Sequence, residues 1–358
     1  MKKYAPYLLL MFVFLSLLCG CSTLPGFADR QLEKSFEYDA ERKMDDKAFE
    51  AALKAGAKAD RCFSNGATAL IMAVLRNRPD RVRMLLDAGA DPGYATERGT
   101  AALHVAAALR RKECVEILLK GGASPDKGGS YGRTPLMEAA RAGSVEILKM
   151  LLEKGADLHA KDSFGRTALI HGACAMKNTL ETVKYLVSRG ADPMTADKDM
   201  KSAVMHGAGL CHTDAALYLL DLIPDLSNNS ALGLMIMYYA IAGGDIKVVE
   251  TLIDRRMPLN RDPSLIFKGT KLLKTKRFFQ ILVRNGILAN GRTPVHWAAI
   301  ANNKQIVQLL INRGADPLQM DEAGNTADEL TTSPEVRSYI LSRQREASRK
   351  QKRFQQKK

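Results

Sequence analysis

Residues 132–140 read GRTPLMEAA, and two other segments of the chain repeat this pattern closely. Residues 165–173 read GRTALIHGA, and residues 291–299 read GRTPVHWAA. Aligned on the apolar residue that follows the Thr-Pro pair, copies are separated by 33, 33, 33, 35, 33, 30 and 28 residues. A period of this length indicates a fold built from stacked structural repeats. The aligned residues are Leu70, Leu103, Leu136, Leu169, Val204, Met237, Phe267 and Val295, with a worn ninth copy at Asp328.

Each copy has the sequence features of two short helices. Thr134 is suited to cap the first helix, and Pro135 suits its first turn, where a missing N–H costs nothing. A second segment with apolar residues at helical spacing follows, as in residues 145–152. It ends at a glycine that can adopt the left-handed conformation. These glycines are Gly89, Gly122, Gly155, Gly190, Gly286 and Gly314.

This pattern resembles the ankyrin repeat over roughly residues 47–330. The resemblance implies an all-α solenoid of about nine helix–turn–helix units with projecting hairpin loops, plus caps. It also implies that His104 and His296 hydrogen-bond neighbouring turns, and that other proteins bind the concave face. The pattern decays over residues 221–290, where Ile223 and Arg256 replace the stopping glycine.

The amino terminus predicts a lipid anchor. Two lysines precede an apolar segment, residues 7–18, that is short for a transmembrane helix and typical of a signal peptide. Residues 18–21, Leu-Cys-Gly-Cys, resemble the bacterial lipobox, which implies that Cys21 is acylated and inserted in a lipid bilayer. Ser22 then favours the outer membrane, facing the periplasm, over the inner membrane. An ordinary cleaved signal with a chance cysteine is the alternative.

These features divide the chain into five predicted segments. The segments are a signal peptide at 1–20, a lipidated amino terminus and short linker at 21–30, a capping unit at 31–59, the repeat array at 60–331, and a carboxy-terminal helix with a basic tail at 332–358. The helix is expected to fray from residue 343 onward. The formal charge of the chain is +14. Outside the cytoplasm the basic tail, residues 343–358, favours anionic lipid or polymer over nucleic acid, and a disordered tail that aids solubility is the alternative.

The sequence predicts no enzyme, cofactor or metal site. It has no phosphate-binding glycine loop with the Gly-Lys-Ser/Thr ending. His171 and His206 share a repeat column, but Cys174 and Cys211 occupy different ones, which favours helix packing over zinc binding. A Cys–His nucleophile is disfavoured because no third group or oxyanion site accompanies it. Cys114 lies among apolar positions and is expected to be an inert core thiol.

Two surfaces are candidates for partner binding. The turns between paired helices would form a basic rim, and the simpler alternative, which the sequence favours, is a solvated edge. The rim residues are Arg76, Arg78, Arg110, Arg111, Lys112, Lys177, Lys274, Lys276 and Lys304. The second candidate combines a first-helix column, two residues after each aligned apolar position, with aromatic loop tips; a half-buried packing column is the alternative. Its predicted partner-binding residues are Tyr131, Glu138, Phe164, His171, His206, Tyr239 and Trp297.

The resulting functional prediction is a membrane-anchored bacterial lipoprotein that binds another protein in the cell envelope. One specific version is an immunity or adaptor protein for an envelope enzyme. The alternative is a structural envelope factor that binds anionic polymers or lipopolysaccharide through the rim and tail. Two histidines in the first-helix column further predict an affinity that changes between about pH 6 and 7.

Overall fold

A computed structural model describes residues 46–60, 67–223, 226, 231–260 and 291–355. Regular structure in these ranges is α-helical apart from a 3-10 turn at Ser130–Gly132, and the extended pairings found there are isolated antiparallel bridges within hairpin loops. The all-α prediction is therefore confirmed. Cys21, Lys274, Lys276 and Gly286 lie outside the described residues.

The chain forms two compact units, residues 1–191 and 192–358. The described part of the first unit begins with α1, Asp46–Lys54. Four helix pairs follow it: α2 (Ala69–Leu75) with α3 (Pro79–Asp87), α4 (Ala102–Ala108) with α5 (Lys112–Lys120), α6 (Pro135–Ala142) with α7 (Val145–Glu153), and α8 (Ala168–Ala173) with α9 (Thr179–Ser188).

The described part of the second unit also consists of helix pairs. They are α10 (Ala203–Gly209) with α11 (Thr213–Asp221), α12 (Ala231–Gly243) with α13 (Ile246–Asp254), α14 (Pro294–Ile300) with α15 (Lys304–Asn312), and α16 (Ala327–Leu330) with α17 (Pro334–Gln355). None of the helices described in either unit is both long enough and apolar enough to span a membrane.

The predicted start and stop signals act as the sequence suggests. Thr134 Oγ1 accepts a hydrogen bond from the N–H of Met137 at 3.4 Å, and α6 begins at Pro135. Five of the predicted stop glycines have φ between 84° and 102°, in the left-handed region that spares them a side-chain clash. These five are Gly89, Gly122, Gly155, Gly190 and Gly314.

Small residues let successive repeats approach closely. Ala139 and Ala140 of α6 are fully buried. At Gly143, which ends α6 with φ 69°, a Cβ atom would lie 1.9 Å from the carbonyl oxygen of Lys177 in the next turn. A side chain at this position would therefore separate the third and fourth repeats.

Arg81 attaches α1 to the first repeat. Its guanidinium is fully buried, bonds Asp46 Oδ1 through Nη2 at 2.7 Å, and lies 4.5 Å from the centre of the Phe49 ring. A buried guanidinium needs such a carboxylate partner. Arg81 of α3 thus holds α1 in place.

Two stretches differ from the expected pattern. Helix α12 has 13 residues because it begins six residues before Met237, whereas the first helices of the other pairs begin one residue before the aligned position. Arg256, which replaces a stop glycine, still takes the left-handed conformation with φ 61°. Helix α17 continues to Gln355, so the fraying predicted from residue 343 is wrong. Its polar, exposed residues form a continuous helix.

Candidate functional site

Two aromatic side chains project from consecutive hairpin loops of the first unit. Tyr131 is 61% exposed and Phe164 is 48% exposed, and their ring centres lie 5.7 Å apart with the ring planes inclined by 42°. We call these two residues the tip pair. The Arg133 guanidinium lies 5.9 Å from the Tyr131 ring, and the Arg166 guanidinium lies 5.2 Å from the Phe164 ring. The tip pair is therefore an exposed apolar patch flanked by positive charge.

The backbone holds the tip pair in position. The N–H of Ser163 donates a hydrogen bond of 2.7 Å to the carbonyl oxygen of Tyr131, which joins the two loops. Asp162 Oδ1 accepts bonds from the N–H groups of Phe164 and Arg166 at 2.8 and 2.9 Å. Tyr131 itself has φ 60°, an unfavourable conformation for a residue with a Cβ atom. Strain of this kind clusters at functional sites.

A groove of about 290 Å³ lies beside Tyr131, between the first helices and the hairpins of the first three repeats. We call it the inner groove. Its apolar floor includes half-buried Leu75, Val105 and Leu109, and its walls include Arg98, Arg133 and Arg141.

Glu138 lies in the wall of the inner groove as a bridge between two arginines. It is 8% exposed, and its Oε1 and Oε2 atoms pair with Arg133 Nη1 at 3.1 Å and Arg141 Nη2 at 2.9 Å. Its role is thus to position the two guanidiniums, since both of its oxygens are occupied.

His171 and His206 bond buried carboxylates in their own hairpins. The distance from His171 Nε2 to Asp162 Oδ2 is 2.9 Å, as is that from His206 Nε2 to Asp197 Oδ2. Burial lowers the pKa of His171, although its bond to Asp162 acts in the opposite direction. His171 is buried and His206 is half-buried, and each bonds a buried aspartate of its own hairpin, which indicates a structural contact.

The aspartates of these pairs were not singled out from the sequence, although their spacing from the next helix cap marks them. Asp321 occupies the same position in a later hairpin. Asp162, Asp197 and Asp321 each precede by five residues the Thr or Ser that caps the next helix. Each accepts backbone N–H groups within its hairpin. Burial opposes ionisation of Asp197, but bonds from His206 and the Lys201 backbone outweigh it and lower the pKa of that carboxyl.

His104 and His296 bond neighbouring turns, as predicted. The Nδ1 atom of each accepts a 3.2 Å bond from the backbone N–H three residues earlier. Their Nε2 atoms lie 2.8 and 3.3 Å from the carbonyl oxygens of Lys127 and Asn325. Because Nδ1 accepts, each ring is neutral, and burial lowers the pKa of both.

Trp297 lies in the interior of the second unit. It is 4% exposed, and its ring is perpendicular to that of Tyr238 at 5.3 Å between centres; Tyr239 lies at the same distance from Tyr238. This placement corrects the expectation that Trp297 is presented to a partner. With Glu138 and His171 also buried, the first-helix column is mainly a packing column, which is the alternative the sequence allowed.

The repeat geometry agrees with comparisons to known proteins. The family model for three consecutive ankyrin repeats matches residues 38–128, 89–162, 121–197 and 170–263, and the single-repeat model matches residues 290–322. The chain belongs to the ankyrin-repeat family. Ankyrin repeats are protein–protein interaction modules.

A curated relative shares a short part of this repeat array. The Ankyrin repeat and LEM domain-containing protein 1 homolog of Caenorhabditis elegans is 35% identical over 68 residues. The alignment covers 19% of this chain and 9% of the relative, so it spans about two ankyrin repeats.

Carboxylates pair with at least three of the seven basic-rim residues that the structure describes. Arg110 is exposed in a left-handed conformation with φ 59°, and Lys177 is exposed as well. Several other rim cations are ion-paired: Arg78 with Asp46 and Asp80, Lys112 with Glu146, and Lys304 with Glu335. The rim is therefore less positive than its sequence suggests.

The three cysteines in the described part of the chain form no disulfide. Cys114 is fully buried, as predicted for a core thiol, and burial raises the pKa of its thiol to about 11. Cys174 is half-buried and Cys211 is exposed. Over the described ranges, His, Cys, Asp and Glu side chains form no cluster of three that could hold a metal ion.

Proposed function

We propose that this protein is a lipid-anchored ankyrin-repeat module of the bacterial envelope that binds another protein through the tip pair. The observation that carries the proposal is the exposed contact between Tyr131 and Phe164, flanked by Arg133 and Arg166. Aromatic and arginine side chains supply most of the energy at protein interfaces. A rigid hairpin presents them without a large entropic cost of ordering.

The lipid anchor rests on the sequence of the first 22 residues. Acylation at Cys21 by two or more chains gives stable insertion, because each buried methylene contributes about 0.8 kcal/mol. Ser22 supports an outer-membrane position facing the periplasm. Mass spectrometry of the mature amino terminus should show an acylated Cys21. A Cys21→Ser protein that is processed normally and still stays in the membrane fraction would refute the anchor.

The proposed role is recognition without catalysis, in keeping with the interaction modules of this family. The two His–Asp pairs illustrate the reason, since each histidine bonds an aspartate that also accepts backbone N–H groups of its own hairpin. A specific form of the proposal is an immunity or adaptor role, in which the bound protein is an envelope enzyme that this chain regulates.

Crosslinked capture from native envelopes tests partner binding. The full chain is compared with a variant carrying Tyr131→Asn and Phe164→Ala; asparagine tolerates the left-handed conformation at residue 131. We expect the full chain to capture one dominant protein. The variant should capture at least about tenfold less of that protein. Tyr94→Ala, which removes another exposed ring, is the matched control and should capture as much as the full chain.

A second candidate function is binding of an anionic polymer, which the basic residues exposed near the end of α17 favour. These are Arg345, Arg349, Lys350, Lys352 and Arg353. Recovery of polysaccharide without protein, lost on charge reversal of α17 and unchanged in the tip-pair variant, would replace protein recognition with polymer binding.

A further inference from the structure

The inner groove combines an apolar floor with cationic walls. Leu75, Val105 and Leu109 are half-buried, so part of each side chain faces the groove. Three guanidiniums, those of Arg98, Arg133 and Arg141, line the same volume. Apolar surface next to fixed charge is a common arrangement in specific binding sites.

Arg133 and Arg141 share one carboxylate in the groove. Among the described residues that line it, Glu138 is the carboxylate, and its two oxygens pair with these two arginines. Arg141 Nε and Nη2 both donate to Glu138, and Arg133 also donates from Nε to the carbonyl oxygen of Ser130. Among the described residues, Arg133 Nη2 and Arg141 Nη1 make no hydrogen bond. Glu138 therefore orients two guanidiniums that retain donors for an anion.

We infer that the inner groove binds a segment of the partner protein in which a carboxylate side chain lies next to an aliphatic or aromatic one. The carboxylate bonds Arg133 and Arg141, and the apolar side chain packs on Val105 and Leu109. This inference rests on the proposed function, since it specifies what the bound protein presents. Tyr131 belongs to both the tip pair and the groove wall, so one extended segment can contact both.

Charge and apolar surface together select this occupant. A basic segment would place like charges together, and a segment without charge would leave one excess positive charge on the two guanidiniums that share Glu138. An anionic polysaccharide supplies charge but no apolar side chain for the floor. A carboxylate beside an apolar side chain satisfies both parts of the groove.

A random heptapeptide library displayed on phage and selected on the full chain tests the inference. Selected peptides are then synthesised with blocked termini and measured by fluorescence anisotropy. We expect Asp or Glu next to Leu, Ile or Phe in the selected sequences. Arg141→Gln and Leu109→Ser should each weaken binding about tenfold or more, the former because charge-assisted bonds are among the stronger hydrogen bonds. Arg83→Gln removes the same charge from an exposed position on α3 and should leave binding unchanged.

The outcomes separate this inference from the proposed function. Arg98→Gln provides a second groove variant, and matching thermal unfolding shows that each variant is folded. Three results would overturn the inference. The selection yields no peptides, the selected peptides lack carboxylates, or all three groove variants bind the peptides as well as the unmodified chain does. Peptides whose binding requires Phe164 but none of the groove residues would also overturn the inference, while they would support recognition through the tip pair. Loss of protein capture in the envelope experiment concerns the proposed function instead.

Discussion

The tip pair and the cluster around Trp297 are both built from aromatic side chains in contact, yet one is exposed and the other is buried. Tyr131 is 61% exposed on a hairpin loop of the first unit, whereas Trp297 is 4% exposed in a first helix of the second unit. The ring centres are similarly spaced, at 5.7 Å in the tip pair and 5.3 Å between Tyr238 and Trp297. Position within the repeat thus decides whether a ring is available to a partner.

The surroundings of the two clusters explain the difference. The tip-pair rings lie beyond the helices and are approached by Arg133 and Arg166, which leave much of each ring exposed. Trp297 belongs to α14, where Val295 and Ala298 are also buried. Aromatic side chains therefore stabilise the fold in the second unit and form an exposed surface in the first.

Loss of the buried ring should have the largest effect on stability. We expect Trp297→Ala to lower the free energy of unfolding by about 3–5 kcal/mol, because it removes a large buried side chain and leaves a cavity. Tyr131→Asn removes an exposed ring and should change it by less than about 0.5 kcal/mol. Urea unfolding followed by circular dichroism measures both. A larger loss from Tyr131→Asn than from Trp297→Ala would reverse the assignment of surface and interior.

Partner binding should show the opposite order. Phe164→Ala is expected to weaken binding of the captured partner by about 1–3 kcal/mol, because an aromatic anchor is lost. Trp297→Phe keeps an aromatic ring in the interior and should leave the affinity within about 0.5 kcal/mol. Titration calorimetry with the partner identified by capture gives both values. Equal losses from the two changes would place part of the binding surface in the second unit.

A smaller effect is expected in the repeat that carries Tyr238. Arg256 is exposed in the left-handed conformation that glycines adopt at the corresponding helix ends of the first unit, such as Gly155. Arg256→Gly should stabilise the second unit by about 1 kcal/mol, since it removes the steric cost of the Cβ atom. Gly155→Ala, the reciprocal control, should destabilise the first unit. Partner binding should stay unchanged in Arg256→Gly, and a change would link this helix end to the interface.

A change of pH should alter the stability of both units. Burial lowers the pKa of His104 and His296, so the unfolded chain binds protons first as the pH falls. The stability that depends on these two neutral histidines is therefore fully present above the ordinary histidine pKa of about 6.5 and declines below it. Unfolding curves at about pH 7.5 and 5.5 should show this decline. His104→Gln should reduce it, and an unchanged decline would mean that His104 does not contribute.

His171 bears on the earlier expectation of a pH-dependent affinity. Because burial lowers its pKa, it is neutral near pH 7 and bonded within its own hairpin. A change of affinity between about pH 6 and 7 would require its protonation at the interface, which this placement does not support.

Features set by a few neighbouring residues could be predicted from the sequence. The cap at Thr134, the helix start at Pro135 and the left-handed glycines depend on local steric and hydrogen-bonding rules. The exposure of Tyr131 and Phe164 also follows from their place at hairpin tips. The period of 33 residues was sufficient to give the repeat fold.

Features that depend on contacts distant in sequence could not be predicted. Trp297 was expected at the surface because the sequence does not show that Tyr238, 59 residues earlier, packs against it. The inner groove requires Leu75, Val105 and Arg141 to meet across three repeats. The pairing of Lys112 with Glu146 likewise joins separate repeats, and it reduces the charge of the rim.

Site-specific photocrosslinking in intact cells tests most directly the claim that the exposed pair, and not the buried cluster, meets the partner. A photoreactive phenylalanine derivative is placed at Phe164, where the backbone is unstrained, or at Met320, which is 60% exposed in a hairpin of the second unit. We expect a strong adduct to one protein from residue 164 and little or none from residue 320. An adduct from residue 320 alone would contradict the account.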